Sequence, residues 1–210
     1  MADGETHVVA EGQVTAASDG WQVAFDASVD QIETARLLEL WPAALKPRSR
    51  QWVLDNVTGG RLTDARVDIR ARQSEKPVIA ASYEFSDATV RFMRTMPLMQ
   101  GAVGIGVLQD NQMILSLDEG RVPAPQGGSV DLAGSTMIIL DTRVRGGDAE
   151  LDLRMDGTIT ATLALLDREP FRFISKAGQS VTVADGRVEV QGDLRFALRK
   201  GVPPSEVQFD

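Results

Sequence analysis

Few residues in this chain are equipped for chemistry. It has no Cys and a single histidine, His7, which leaves no thiolate nucleophile, no thiolate metal site and no multi-histidine centre. Gly101, Gly104 and Gly106 spell G-x-x-G-x-G. That inverts the dinucleotide fingerprint, and no strand-to-helix step follows to aim N–H groups at a phosphate. The plainer reading is a flexible strand or a close backbone approach. Asp152 and Asp156 are spaced to share one face of a strand, as are Asp64 and Asp68, and such a pair could hold a hard cation or act as acid and base. Each alternates with arginine, so exposed cross-strand ion pairs explain them better. Lys46, Arg48 and Arg50 cluster at a helix start, either as a solvated basic patch or as a contact for anionic lipid headgroups or an acidic partner. His7 reads as a surface residue. No catalytic, metal-binding or cofactor-binding set emerges.

Composition narrows the classes further. The 210 residues carry 22 basic and 30 acidic groups, a net charge of −8, so nucleic acid is not an expected partner. Hydrophobic residues at 43% and charged residues at 25% exclude disorder and disfavour a membrane-embedded bundle. No window holds the roughly 18 to 20 apolar residues of a spanning helix, and Met1-Ala2-Asp3-Gly4-Glu5 lacks the features of a signal peptide. Charge is uneven: residues 1–45 are acidic apart from Arg36, and residues 46–76 are predominantly basic.

The elements that must position these residues are strands, because the dominant pattern has period two. Trp21, Val23, Phe25 and Ala27 alternate with polar or small residues, as do Ala65, Val67, Ile69 and Ala71. Leu151, Leu153 and Met155 follow suit, with Val188, Val190, Leu194 and Phe196. The segments around Met113 to Leu117, Val130 to Ile139 and Ile159 to Leu165 read as strands less cleanly. Between Tyr83-Phe85 and Ala88-Val90-Phe92 the parity flips across Ser86-Asp87, which predicts a bulge. Gly- and Asn-bearing turn signals, at Ser18-Asp19-Gly20, Gly59-Gly60, Asp110-Asn111, Glu119-Gly120, Gly127-Gly128, Gly146-Gly147, Asp156-Gly157 and Asp185-Gly186, come too close together for βαβ units. The expected fold is mainly β: one unit over residues 1–210, a long antiparallel meander curved into a groove with an apolar concave face.

Short helices are expected near 30–41, with Asp30 and Glu33 as a capping box, near 47–57 behind Pro47, and near 169–177 from Pro170. The second, through Trp52 and Val53, is expected to plug one flank of the sheet.

The apolar residues are the most informative. Met93, Met96, Met99, Met113, Met137 and Met155 fall in or beside the expected strands, and Met fills ordinary cores as readily as it lines adaptable apolar surfaces. Three short helices are few to cover nine or ten strands, so an acyl-holding groove stands beside the core reading. Its candidate lining comprises Val67 and Ile69, then Phe85, Val90 and Phe92, then Met113 and Leu115. Later strands add Leu151, Leu153 and Met155, then Val188, Val190, Leu194 and Phe196.

Several blocks, taken together and in order, resemble a known family. Leu40-Trp41-Pro42, the run Lys46-Pro47-Arg48-Ser49-Arg50-Gln51-Trp52-Val53 and the run Gly59-Gly60-Arg61-Leu62-Thr63-Asp64-Ala65 are similar to the core pattern of large AsmA-like bacterial envelope proteins. So are Leu163 to Phe171, Lys176-Ala177-Gly178, Gly186-Arg187-Val188 and Leu198-Arg199-Lys200-Gly201-Val202, so that the resemblance covers roughly residues 20 to 210. It implies a repeating β-groove of Gram-negative bacteria that conducts phospholipids between inner and outer membranes, with acyl chains as partner, no enzyme activity and no cofactor. It further implies a periplasmic location within a longer, inner-membrane-anchored protein, of which this chain would be a fragment. The alternative is a closed structural module of the envelope that docks protein partners through sheet edges. Residues 187–199, read as a terminal strand, are expected to give weak edge-to-edge self-association.

Overall fold

The structure, a computed structural model, describes residues 6–18, 20–169, 172–199 and 208–209. The fold is mainly β, and the eleven strands among the described residues belong to one antiparallel sheet. Strands β1 (Val8–Ala17), β2 (Gly20–Glu33), β3 (Val57–Arg72), β4 (Val78–Val90), β5 (Met99–Gln109) and β6 (Gln112–Pro123) follow one another as a meander. Two short strands then lie end to end along β6: β7 (Ser129–Asp131) beside Arg121–Pro123 and β8 (Thr136–Ile139) beside Met113–Ser116. Both also pair with β9 (Asp148–Thr158), and β10 (Arg187–Ala197) and β11 (Gln208–Phe209) complete the order. At roughly 4.8 Å per strand the sheet is about 45 Å wide.

The alternation read in the sequence becomes side-chain direction, and the expected parity flip is present. β4 shifts register between Phe85 and Ala88, with Asp87 at φ 52°; Asp tolerates this left-handed conformation better than most residues. β3 shifts between Thr63 and Arg66 around Asp64, at φ 48°. Asp110 and Asn111, at φ 51° and 66°, form the tight β5–β6 turn.

Three turn signals mark other things. Gly59-Gly60 lies near the start of β3, Glu119-Gly120 within β6 and Asp156-Gly157 within β9. Gly120 and Gly157 make room: a Cβ on Gly120 would lie 3.1 Å from Leu117 Cδ2 and Met99 Sδ, and one on Gly157 would lie 3.2 Å from Val130 Cγ2. Asp19 of the first turn signal lies outside the described residues.

The helices differ from expectation in instructive ways. α1 (Thr34–Leu40) begins later than predicted, because β2 continues through Glu33, which pairs with Arg61 at 2.9 Å. Asp30 is no helix cap; its carboxylate accepts the backbone N–H groups of His7 and Gln31 at 2.9 and 2.6 Å. α2 (Pro47–Asn56) matches expectation, with Pro47 at its start. It is not a sealed plug, since it buries no residue and Trp52 is 49% exposed. The run from Ile159, read as a strand, is instead α3 (Ile159–Leu166). Thr158 caps it by accepting the Ala161 N–H at 3.0 Å, and the buried residues Ala161, Ala164 and Leu165 repeat at helical spacing. The helix expected at 169–177 contracts to α4 (Phe173–Lys176), anchored where the Asp167 carboxylate accepts the Ser175 N–H at 2.7 Å. Pro170 and Phe171 lie outside the described residues.

The core gathers at one end of the sheet. There β6, β7 and β9 meet α3, and Val122, Val130, Met155, Ala161 and Leu165 form a buried cluster with Met96, Met99 and Leu166 packed around it. Arg168 Nε ties the end of α3 to the Thr95 carbonyl in the β4–β5 loop. Elsewhere the apolar face is only half-buried. The accessible surface is 13359 Å², against about 9,500 Å² for a compact monomer of this mass.

Across the middle of the sheet, aromatic rings lie on glycines. Tyr83 is in register with Gly106 and Phe85 with Gly104, and their ring centroids are 6.5 Å apart. A Cβ on Gly106 would fall 2.3 Å from Tyr83 Cζ, and one on Gly104 would fall 2.8 Å from Phe85 Cζ and 2.0 Å from the Ser116 carbonyl oxygen. This resolves the glycine motif as close approach of rings and backbone. Urea denaturation should therefore show both Gly→Ala variants destabilised by about 1 to 3 kcal/mol. Most of the Gly106→Ala loss should disappear in a Tyr83→Ala background, whereas the Gly104→Ala loss should persist in Phe85→Ala, because a backbone carbonyl also blocks it.

Candidate functional site

Following the register across the sheet assembles one apolar face. One row runs Ala10, Ala27, Val67, Ala81, Leu108, Met113, Ile139, Ala149, Phe196 from β1 to β10. A neighbouring row runs Tyr83, Gly106, Leu115, Met137, Leu151, Leu194. On the β2 side Phe25, Ile69 and Ile79 line up, and on the β10 side Val190 faces Met155 and Gly192 faces Leu153. Antiparallel partners project to the same side, so the face is continuous over the width of the sheet.

Most residues singled out from the sequence are brought together here. Val67, Ile69, Phe85, Met113, Leu115, Leu151, Leu153, Val188, Val190, Leu194 and Phe196 are half-buried on strands of this face. Met155 lies on it too but is sealed under α3 at 7% exposure, which makes it core. Val90 ends β4 beside Met99. Phe92 falls beyond the strand and is 44% exposed, so it lines nothing; the alternation that suggested it stops where β4 enters the loop. Sequence reasoning passed over Phe25, Tyr83, Leu108, Met137 and Ile139 as lining residues. The first two stood in runs already read as alternating, whereas Leu108 sits among apolar neighbours that hide its period.

The α1–α2 segment borders this face. Trp41 Nε1 donates to the Leu45 carbonyl at 2.7 Å, and Arg50 donates to the carbonyls of Leu38 and Trp41 at 2.8 and 3.1 Å, stapling the two helices together. Its tip, Ala44 to Lys46, reaches Ile79 and the hairpins holding Lys76, Asn111 and Arg143, around a cleft of about 260 Å³.

The opposite face is charged and paired. Arg70 bonds Asp26 at 2.6 Å and holds that carboxyl below its ordinary range, while Asp68, in register beside Asp26, is pushed up by the hydrogen bond it shares with that carboxylate. Asp156 pairs with Arg187 and Asp152 with Arg154 at 3.9 Å. Of these carboxylates Asp156 thus joins an ion pair across to β10 and Asp152 one within β9, and the Asp64 bulge interrupts the run from Asp64 to Asp68. Among the described residues no three His, Cys, Asp or Glu side chains group as a metal site. No described helix is long and apolar enough to cross a membrane.

Compared with models of protein families, with curated proteins and with solved structures, the chain matches none. The geometry itself defines a class by shape: a bulged antiparallel sheet with one continuous, half-exposed apolar face, sealed at one end by a helix.

Tyr83 reports on that face. It is the chain's one tyrosine, and desolvation pushes its phenol up to about 12. A spectrophotometric titration of the folded protein should therefore show a midpoint near 12, and a midpoint near 10 would put the phenol in water. Because the folded value is raised, its contribution to stability is complete below about pH 10 and is lost as pH rises through about 12.

Proposed function

We propose that the apolar face holds phospholipid acyl chains, and that the chain works as a lipid-binding trough, without enzymatic chemistry or cofactor, in the bacterial envelope. The observation that carries the reading is the apolar face itself. It is continuous in register from β1 to β10, half-exposed, and part of a molecule whose surface is far larger than its mass requires. Water against such a face is costly, and moving an acyl chain onto it recovers about 0.8 kcal/mol per buried CH₂. The face is broad and lined by Met113, Met137, Leu115 and Leu151, flexible or branched side chains that accommodate a chain without fixed hydrogen-bond geometry. In this reading the sealed end stops the acyl chain and the charged face stays in water. The same reading has the chain in the periplasm, within a longer inner-membrane-anchored protein that moves phospholipid between the two membranes, in keeping with the resemblance of its sequence blocks to AsmA-like proteins.

The test is extraction of gently purified protein with organic solvent and mass spectrometry of the extract, with two variants beside the wild type. Leu115→Asp, on the half-exposed face, should lose co-purifying phospholipid while keeping its circular dichroism and cooperative unfolding. Leu165→Asp, at 6% exposure in the sealed cluster, should unfold, because a charge there has no water and no partner. Wild-type protein free of lipid, or Leu115→Asp with wild-type lipid content and an intact fold, contradicts the proposal.

A further inference from the structure

β1 is one margin of the sheet, and among the described residues its strand partner is β2 alone. One hydrogen bond establishes which of its backbone groups remain free. The Asp30 N–H donates to the His7 carbonyl, and the ladder continues from there in step, Val8 with Val29 through Ala17 with Gly20. In an antiparallel ladder alternate residues bond inward. His7, Val9, Glu11, Gln13 and Thr15 therefore bond to β2, while Val8, Ala10, Gly12, Val14 and Ala16 turn their N–H and C=O groups outward. The outward set also carries its side chains on the apolar face, opposite Val29, Ala27, Phe25, Val23 and Trp21, with Val8 and Val14 exposed at 51% and 63%.

Natural edge strands are blunted by lysine, proline or inward-pointing charge. Val8–Ala17 has none of these; its single charge, Glu11, sits on the other face. We propose that β1 pairs antiparallel with β1 of a second copy of this chain, centred on Gly12, so that two sheets join with their apolar faces on the same side. Three constraints select this arrangement. First, outward-bonding residues must meet outward-bonding residues, which allows only registers that pair even numbers with even numbers. Second, centring on Gly12 uses the whole strand. Val8 then lies opposite the partner's Ala16 and Ala10 opposite the partner's Val14, a large residue against a small one each time, and Glu11 lies opposite the partner's Gln13. The next register toward the N-terminus would set Glu11 against the partner's Glu11, a like-charge pair, and the next in the other direction would carry Val8 past the end of the strand. Third, a two-fold pairing closes at two copies, whereas pairing β1 with the far margin would build an open chain of molecules, and at that margin Leu194 and Arg195 are already taken by β11. This last contact also tempers the self-association expected through residues 187–199, whose outer edge is partly covered. The dimer follows from the β1 edge alone and does not depend on the acyl-chain reading.

The experiment exploits the absence of native cysteine. In the proposed register Gly12 is the position that meets itself, at the Cα separation of about 5.5 Å typical of a hydrogen-bonded antiparallel pair, within disulfide reach. A Cβ there meets nothing nearer than Phe25 Cδ2 at 3.6 Å, so Gly12→Cys is tolerated. Full-length Gly12→Cys should convert to covalent dimer under mild oxidation. Ala10→Cys and Val14→Cys should each stay monomeric alone yet cross-link when mixed. In sedimentation velocity the wild type should pass from monomer to dimer over a concentration series and stop there. Gly12→Lys, which sets two ammonium groups face to face, should weaken the dimer by roughly tenfold or more. A wild type that stays monomeric throughout with no Gly12→Cys cross-link, growth beyond dimer, a Gly12→Lys dimer as tight as the wild type, or Ala10→Cys cross-linking alone as fast as Gly12→Cys would each overturn the proposal.

Discussion

Register is the constraint on which the rest of this molecule depends. With a side-chain period of two, a one-residue slip in any ladder would turn that strand's apolar set to the charged side. The bulges show how tightly the constraint is kept. β2 passes from Val29 to Ile32 across Asp30, and β3 makes the matching step from Ala65 to Leu62 across Asp64, so the two strands change parity together and Ile32 still faces Leu62. β4 changes parity across Ser86-Asp87, and β6 does so where Val103 pairs with Glu119 and Gly104 with Leu117. Each irregularity bends the sheet and increases its twist, yet Phe85, Gly104 and Leu117 remain on one side. The bends are placed so that curvature is gained without breaking the face.

A face held this way need not be sealed to persist. Most of its strands are fixed by two neighbouring ladders, and the buried cluster around Val122, Val130 and Leu165 pins the β6, β7 and β9 end. Cross-strand ion pairs such as Arg70 with Asp26 and Arg195 with Asp148 and Glu150 keep the other side wet. These exposed pairs contribute little stability individually; their effect is to make the reverse burial of that face costly. The half-exposed apolar side is thus tolerated by the architecture.

Much of this was legible in the residues. Clean alternation in β2, β3, β9 and β10 marked both the strands and the side each residue takes, and the parity flip in β4 announced its bulge. The misreadings have physical causes. Ile159 to Leu166 is apolar all round, and a short apolar run does not declare its period; the Thr158 cap and the helical spacing of Ala161, Ala164 and Leu165 decide it. Glu119-Gly120 and Asp156-Gly157 looked like turns because glycine permits turns, whereas here glycine is present for what it leaves out, the Cβ that would strike Leu117 and Val130. Asp30 and Glu33 matched a capping box, but the β2 ladder with β1 and β3 outweighs a local cap. Phe92 followed the alternation past the end of the strand that gave it meaning.

The central claim is that this face, and no other, accepts an acyl chain, and photolabelling tests it most directly. A fatty acid carrying a diazirine midway along its chain would be bound to the full-length protein, photolysed, and the adducts mapped by peptide mass spectrometry. Adducts should concentrate at Met113, Leu115, Met137 and Leu151, with Met155 protected beneath α3 and the charged-face residues Glu150, Asp152 and Arg154 unlabelled. Adducts spread evenly over both faces, or no labelling above that of a denatured control, would contradict it.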